Sequence, residues 1–104
     1  MPMINFKAIA TDDVLKASKN MLDDLQSILQ CPRDSLHLEV TQSVYVADGE
    51  PAKGMPLVEV LWFERPEDLQ KKTADLLVKY VQDMGYQHVE IIFRNIEKDK
   101  FYKV

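Results

Sequence analysis

The sequence contains few of the residues on which common kinds of functional site depend. Cys31 is the single cysteine among 104 residues, so an internal disulfide is excluded and a reducing cytoplasm is the expected compartment. The three glycines do not form a cluster, which argues against a glycine-rich phosphate loop and nucleotide-dependent chemistry. The sequence also contains no Gly-x-Ser-x-Gly segment and no ligand spacing typical of a metal site, so serine-type hydrolysis and a bound metal find no support.

The chain also has no strong positive charge and no long hydrophobic run. Its net charge is −4 and its lysines and arginines are scattered, which argues against nucleic acid or an anionic membrane as a partner. No apolar stretch approaches the roughly 20 residues of a membrane-spanning helix. The first residues carry no secretory signal pattern. We therefore expect a soluble cytoplasmic protein without a nucleic-acid or membrane partner.

What the sequence does contain is a repeat. Met1-Pro2 is followed by a helical stretch and then by the segment HLEV at 37–40, and Met55-Pro56 is followed in the same order by HVEI at 88–91. The separations from proline to histidine are 35 and 32 positions, which predicts a duplication with a loss of three residues. We interpret the chain as one domain with repeats at 1–47 and 55–96, a linker at 48–54 and a C-terminal tail at 97–104.

Each repeat has the pattern of a strand, a helix and a second strand. In the first, a strand at about 2–8 precedes a helix that begins near Thr11 with Asp12 and Asp13 in its first turn and runs to about Gln30. Alternating apolar and polar residues then predict a strand over 36–46. In the second, an apolar strand at 56–63 precedes a helix that ends at Gly85 and a strand at 88–94. The tail at 101–104 can add a short edge strand.

Two helix-length crossovers make the strands of each repeat parallel. The predicted fold class is therefore α+β, with two β-α-β repeats that form a four-stranded mixed sheet and two helices on one of its faces. The other face would carry Val58, Val60 and Trp62 or their neighbours in the third strand. Because bare apolar sheet faces are usually covered by another chain, we expect a homo-oligomer.

A duplicated strand-helix-strand chain of this length, with proline directly after the initiator methionine, resembles the tautomerase superfamily, which includes macrophage migration inhibitory factor and oxalocrotonate tautomerase. The stretch at 56–63 is most similar to an uncharacterised prokaryotic branch of it. The resemblance implies a cofactor-free homotrimer with pockets between subunits, in which Met1 is removed and Pro2 is the catalytic base. A terminal amine has a pKa near 8, which burial lowers toward neutrality.

The rest of the family's pattern matches less closely. Where oxalocrotonate tautomerase has an arginine at the start of its first helix, this chain has Thr11, Asp12 and Asp13. The arginine on the second strand of that enzyme falls at about His37, which can donate a hydrogen bond or carry charge. A pocket tyrosine of the inhibitory factor falls at about Glu90. These departures predict a different substrate preference or no activity.

Other residue types suggest a substrate site without reference to the family. Arg65 and Arg94 follow or end strands and can hold an anion bidentately, although surface salt bridges with Glu64 or Glu90 are the commoner role. Tyr45 and Trp62 can line a pocket, with core or subunit packing as the alternative. The set of candidate substrate-binding residues is His37, Arg65, Arg94, Tyr45 and Trp62.

Three functions are compatible with these patterns. The first is a tautomerase that acts on a small 2-oxo acid or enol through Pro2. The second is a non-catalytic oligomeric protein of the same fold that binds a ligand or has a structural role. The third is a ferredoxin-like regulatory module, which is also built from two strand-helix-strand halves and binds a small ligand.

Overall fold

A computed structural model describes all residues, 1–104. Six strands and two long helices make up the chain, together with single turns of 3₁₀ helix at Arg33–Ser35 and Lys98–Lys100. In chain order the elements are β1 (Met3–Lys7), α1 (Thr11–Leu29), β2 (His37–Thr41), β3 (Tyr45–Ala47), β4 (Glu50–Ala52), β5 (Leu57–Trp62), α2 (Glu67–Asp83) and β6 (Glu90–Asn95).

Four strands form the main sheet, in the order β2-β1-β5-β6. β1 and β2 are parallel, β5 and β6 are parallel, and the two pairs meet through antiparallel β1 and β5. The predicted four-stranded mixed sheet of two β-α-β units is thus confirmed. Because the strands that each helix joins are direct neighbours, no strand is inserted between them. This order excludes the split β-α-β arrangement of a ferredoxin-like module.

The two units are equivalent, although in a different register from the one that the sequence repeat suggests. The amide of His37 donates a hydrogen bond to the carbonyl of Pro2 at 3.1 Å, and the amide of Glu90 donates to the carbonyl of Pro56 at 3.0 Å. His37 therefore corresponds to Glu90 and not to His88. The separations from proline are then 35 and 34 positions, so the predicted loss of three residues is wrong and one residue is missing.

The hydrophobic core lies between the main sheet and the two helices. Even-numbered residues of β1 and β5, such as Phe6 and Trp62, point toward the helices and are fully buried. Burial of each large apolar side chain stabilises the fold by roughly 1.5–3 kcal/mol. Thirteen buried residues form this cluster: Ile4, Phe6, Ile9, Val14, Met21, Leu25, Leu29, Leu36, Val58, Val60, Trp62, Leu77 and Val81.

The sheet face away from the helices is open, as predicted. It carries the neighbours of Val58, Val60 and Trp62 and not these three residues themselves. Val58, Val60 and Trp62 all face the core, so their neighbours Leu57, Glu59 and Leu61 lie on the open face. This face is therefore a mixture of apolar and charged side chains. Leu61 and Ile92 are its more exposed apolar members, at 36% and 41% exposure.

Backbone geometry and dipole charges mark the helix ends. Asp12 and Asp13 lie in the first turn of α1, where negative charge is favourable, and no side chain caps the first amides. Gln30 ends α1 in the left-handed conformation, with φ of 53°. Pro66 precedes α2, and Gly85 follows it with φ of 105°, which a residue without a Cβ adopts easily.

β3 and β4 form a separate hairpin that the sequence analysis did not predict. The strand expected over 36–46 stops at Thr41, and the expected linker 48–54 contains β4. Asp48 and Gly49 connect the two strands with φ values of 52° and 77°, as a tight hairpin turn with two left-handed residues requires. The radius of gyration is 14.5 Å, above the roughly 13 Å of a compact domain of this length.

The C-terminal tail forms no strand. Residues 101–104 lack regular structure, and the ring of Phe101 packs edge-on against Phe63 with 5.2 Å between the ring centroids. The edge strand considered for this tail is therefore absent. Neither helix of the chain is long and apolar enough to cross a membrane.

Two tyrosine–aspartate hydrogen bonds join the second unit to α1. The hydroxyl of Tyr80 on α2 donates to Asp24 at 2.5 Å, and that of Tyr86 after α2 donates to Asp13 at 3.0 Å. The bond to Asp24, together with partial burial, raises the pKa of Tyr80 to about 12 from the ordinary value of 10. Stability from this bond is therefore present below pH 10 and is lost as the pH rises toward 12.

We expect Tyr80→Phe to lower the free energy of unfolding by about 1 kcal/mol, because one hydrogen bond to a charged group is lost. Denaturant unfolding at pH 7 measures this change. Tyr102→Phe is the matched control, because Tyr102 is 87% exposed. Equal stability of the two variants would contradict a stabilising contact between the helices.

Candidate functional site

Pro2 lies at the amino end of β1, and its side chain is fully buried. Met3 pairs with Leu61 in the antiparallel ladder, so the position before it, Pro2, lies beside Trp62. On the other side, the Pro2 carbonyl accepts the hydrogen bond from the His37 amide. Met1, half-buried, precedes it. Backbone pairing and apolar packing therefore hold the proline ring in a defined position.

Trp62 organises the polar groups near this end of the sheet. Its indole Nε1 donates to Asn95 Oδ1 at 3.2 Å, and the Asn95 amide donates to Glu64 Oε1 at 3.1 Å. The guanidinium carbon of Arg65 lies 5.0 Å from the centroid of the Trp62 ring, a cation–π contact. Arg65 also donates to the carbonyl of Phe63 at 3.1 Å. Arg65 is thus held by Trp62 and not by Glu64.

Arg94 belongs to a charged group on the open sheet face. Its Nε lies 3.1 Å from Glu59 Oε2, and Lys7 Nζ lies 3.0 Å from Glu59 Oε1. The hydrogen bond from Lys7, followed by that from Arg94, lowers the pKa of Glu59 from its ordinary value of 4.5. Of the two roles considered for Arg94, anion binding and a salt bridge, the structure shows the salt bridge. Its partner is Glu59 on β5 and not Glu90.

The remaining candidates lie far apart. His37 faces Met3 across the β1–β2 ladder, and its exposed imidazole makes no hydrogen bond within the chain. Tyr45 lies on the hairpin, beyond the other end of β1, where it lines a cavity with Ala8 and Pro56. Six residue steps along β1 separate the two ends, which is about 20 Å at strand spacing.

The structure thus places His37, Trp62, Arg65 and Arg94 at the Pro2 end of the sheet, with His37 and Arg94 on the open face and Trp62 on the helix-facing side, and it leaves Tyr45 at the Pro56 end. Two polar residues were not among the predicted candidates: Asn95 at the Pro2 end, and Glu59, which lies opposite Asn5 at the middle of β1. Glu59 was detectable, because it is the one charged residue within the apolar run PLVEVLWF, where a charge needs a partner. No group of three or more His, Cys, Asp or Glu side chains converges in a manner that holds a metal ion.

The fold is that of the tautomerase superfamily. A macrophage migration inhibitory factor-like protein from Entamoeba histolytica superposes with a TM-score of 0.73 at 13% identity, covering 99% of this chain and 95% of that one. A fused 4-OT described as an asymmetric trimer superposes with a TM-score of 0.80 at 10% identity, covering 97% and 91%. At these identities the likeness concerns the fold alone.

Within this class, the chain belongs to the family described as Domain of unknown function (DUF1904), which matches residues 1–104. The crystal structure of a member of this family from Sebaldella termitidis is similar, with a TM-score of 0.91 at 26% identity, covering 99% of this chain and 95% of that one. No curated protein is significantly similar to the chain in sequence.

The contribution of the Glu59 ion pairs to stability can be tested through its dependence on pH. Because the pKa of Glu59 is lowered by folding, its carboxylate stabilises the fold above pH 4.5, and this contribution is lost as the pH falls through the lowered pKa. We expect Glu59→Gln to reduce the free energy of unfolding by about 1 kcal/mol at pH 7 and by less at pH 3. Denaturant unfolding at both values measures this.

Glu39→Gln is the matched control, because Glu39 lies on the same face of the neighbouring unit and makes no ion pair. Its stability should follow that of the unchanged protein at both pH values. A constant difference between Glu59→Gln and the unchanged protein from pH 7 to pH 3 would show that the ion pairs do not determine the acid response.

Proposed function

We propose that this chain is the subunit of a homo-oligomeric, cofactor-free tautomerase that uses Pro2 as a general base on a small 2-oxo acid or enol. One observation carries the proposal. Pro2, which directly follows Met1, is fully buried at the amino end of a central strand, in a fold shared with 4-OT and an inhibitory factor-like protein. The free half-buried thiol of Cys31 agrees with action in the cytoplasm.

Removal of Met1 is the step that would create the base. While Met1 is present, the Pro2 nitrogen is an amide without a basic lone pair. After its removal, the same nitrogen is a secondary amine beside the apolar ring of Trp62. Burial disfavours the charged form of an amine, so the neutral, proton-accepting form is populated near neutral pH. The amine would take the proton from the enol hydroxyl and return it to the adjacent carbon of the substrate.

Arg65 is the cation best suited to hold the substrate carboxylate. Its guanidinium is half-buried over Trp62 and has no carboxylate partner, whereas Arg94 is engaged by Glu59. An arginine fork matches a carboxylate with two parallel hydrogen bonds. His37, exposed and unpartnered across from Met3, is a second donor at this end. Asp12 and Asp13 lie at the start of α1, where oxalocrotonate tautomerase has an arginine. Arg65 would therefore replace that arginine in binding the substrate carboxylate.

The surfaces that one chain leaves uncovered support the proposed homo-oligomer. Leu61 and Ile92 are exposed on the open sheet face. Val44, just before the hairpin, is 88% exposed, and Val46, within it, is 76% exposed. A two-stranded hairpin is marginally stable in water without further packing. Contact with other copies would cover both regions, and the solved neighbour of this fold described as a trimer is a precedent.

The role of Pro2 is testable with one chain in two forms. We expect phenylpyruvate or 2-hydroxymuconate to be tautomerised by the protein without Met1, and not by the same protein with Met1 retained, because only the former has a basic nitrogen. Intact mass identifies each form, and ultraviolet absorbance follows the conversion. Pro2→Ala in the processed form should reduce kcat/KM by about 100-fold or more.

Pro32→Ala is the matched control, because Pro32 is exposed outside the sheet, and it should retain full activity. Equal rates for the two forms of the chain would falsify the proline mechanism. Retention of Met1 in the protein's native host would favour the non-catalytic binding or structural role on the same fold.

The oligomer is testable by placing a charge on the open face. We expect Ile92→Glu to convert the assembly to monomers at micromolar concentration, because an unpaired carboxylate would be buried at the interface. Sedimentation or light scattering gives the mass. Leu15→Glu is the control, because Leu15 is 63% exposed on the helical side. A monomeric unchanged protein, or an unchanged assembly in Ile92→Glu, would contradict this interface.

A further inference from the structure

We infer that the Pro56 end of the sheet is a second ligand site, which binds a small aromatic carboxylate. The site is a cavity of about 440 Å³, within the range of 300–1,000 Å³ typical of small-molecule pockets. It lies about 20 Å from Pro2, beyond the opposite end of β1. Its lining residues are Ala8, Ser43, Tyr45, Lys53, Gly54, Met55, Pro56, Gly85, Tyr86, Gln87 and His88.

The charge of the lining selects an anion. The chain as a whole carries −4, yet the cavity is lined by Lys53 and His88 and by no aspartate or glutamate. Lys53 makes no ion pair, so its ammonium is available to a ligand. Of the acids outside this lining, Asp13 accepts the hydrogen bond from Tyr86, and Glu90 lines an adjoining cavity together with Lys7 and Lys53 but forms no ion pair. Lys53 differs in this respect from the five lysines that do pair with a carboxylate, which are Lys7, Lys19, Lys71, Lys79 and Lys100.

Neutral donors accompany the cation, as a carboxylate requires. Ser43 and Tyr45 line the cavity, and their hydroxyls make no hydrogen bond within the chain. Tyr86 differs, because its hydroxyl accepts from the Ala10 amide at 3.0 Å and donates to Asp13. Tyr86 is therefore a fixed wall, while the other two hydroxyls remain free to bind oxygen atoms of a ligand.

An aromatic wall favours a flat ligand body. The ring of Tyr45 lies so close to Gly54 that a Cβ on this glycine would come within 2.6 Å of ring atoms Cδ2 and Cζ. Glycine is thus required for the ring to lie against the backbone. Met55 and Pro56 add apolar surface beside it. A planar apolar group on the ligand would bury area against this wall while its carboxylate meets Lys53 and His88.

The internal duplication explains why this site would bind without reacting. Pro56 occupies in the second unit the position that Pro2 occupies in the first, as the two equivalent carbonyl hydrogen bonds show. Pro56 follows Met55 within the chain, so its nitrogen is an amide in every form of the protein and cannot accept a proton. The second site is therefore independent of the proposed reaction at Pro2 and of the removal of Met1.

Benzoate and benzamide are matched probes for this site, because they share shape and differ in charge. We expect titration of the ¹⁵N-labelled full chain to shift the amide signals of Gly54, Gly85 and Gln87, with benzoate bound at least about threefold more tightly than benzamide. Lys53→Met should weaken benzoate at least about threefold and leave benzamide unchanged. Lys98→Met, which removes an exposed lysine outside the cavity, should alter neither.

Three results would overturn this inference. The first is a pattern of shifts confined to Met3, Trp62 and the rest of the Pro2 end. The second is equal affinity for benzoate and benzamide, and the third is unchanged benzoate affinity in Lys53→Met. Each of these outcomes leaves the activity of Pro2 untouched, so failure here and failure of the proposed tautomerase are separate findings.

Discussion

The antiparallel pairing of β1 with β5 is the constraint on which the rest of the structure depends. Each unit alone has two parallel strands and one helix, and its first strand has an unpaired edge. Joining the two first strands antiparallel satisfies both edges, places both helices on one face and sets Pro2 beside Trp62 at one end and Pro56 beside Ala8 at the other. The chain therefore has two similar sheet ends, and they differ mainly in whether the proline nitrogen can become free.

Much of the fold could be predicted from the sequence, because the clearest hydrophobic patterns belong to the strands and helices that pack in the core. The apolar run that forms β5 and the helical stripes around it gave the main strands, both helices and the mixed sheet. The hairpin was missed, although Asp48-Gly49 is a strong turn signal, because the alternation of residues before it continued the apparent strand. The register of the duplication was also missed. A shift of two residues keeps every side chain on the same face of a strand, so the match of HLEV to HVEI contained no sign of the error.

The candidate site could be predicted less well, because its members meet only through strand pairing. Sequence alone cannot say that Arg94 reaches Glu59, since that contact requires the β5–β6 register. Tyr45, by contrast, lies at the far end from Pro2 because β2 runs parallel to β1 and carries the chain away, a position that the predicted parallel pairing already implies. Arg65 lies on the Trp62 ring because β5 ends there and the chain turns back toward α2. Residue types alone thus identified candidates but not which of them share one end of the sheet.

The charges of the open face explain how this face can be covered by another copy. An isolated carboxylate would oppose burial, because removing an ion from water costs far more than nearby apolar contacts return. Glu59 is instead bound from both sides by Lys7 and Arg94, so its charge is already compensated within one chain. The apolar positions around it can then pack against a neighbour without leaving an unpaired acid behind. The same network engages Arg94, whereas Arg65 is held by an aromatic ring and by no acid, which is why we propose Arg65 and not Arg94 as the substrate-binding cation.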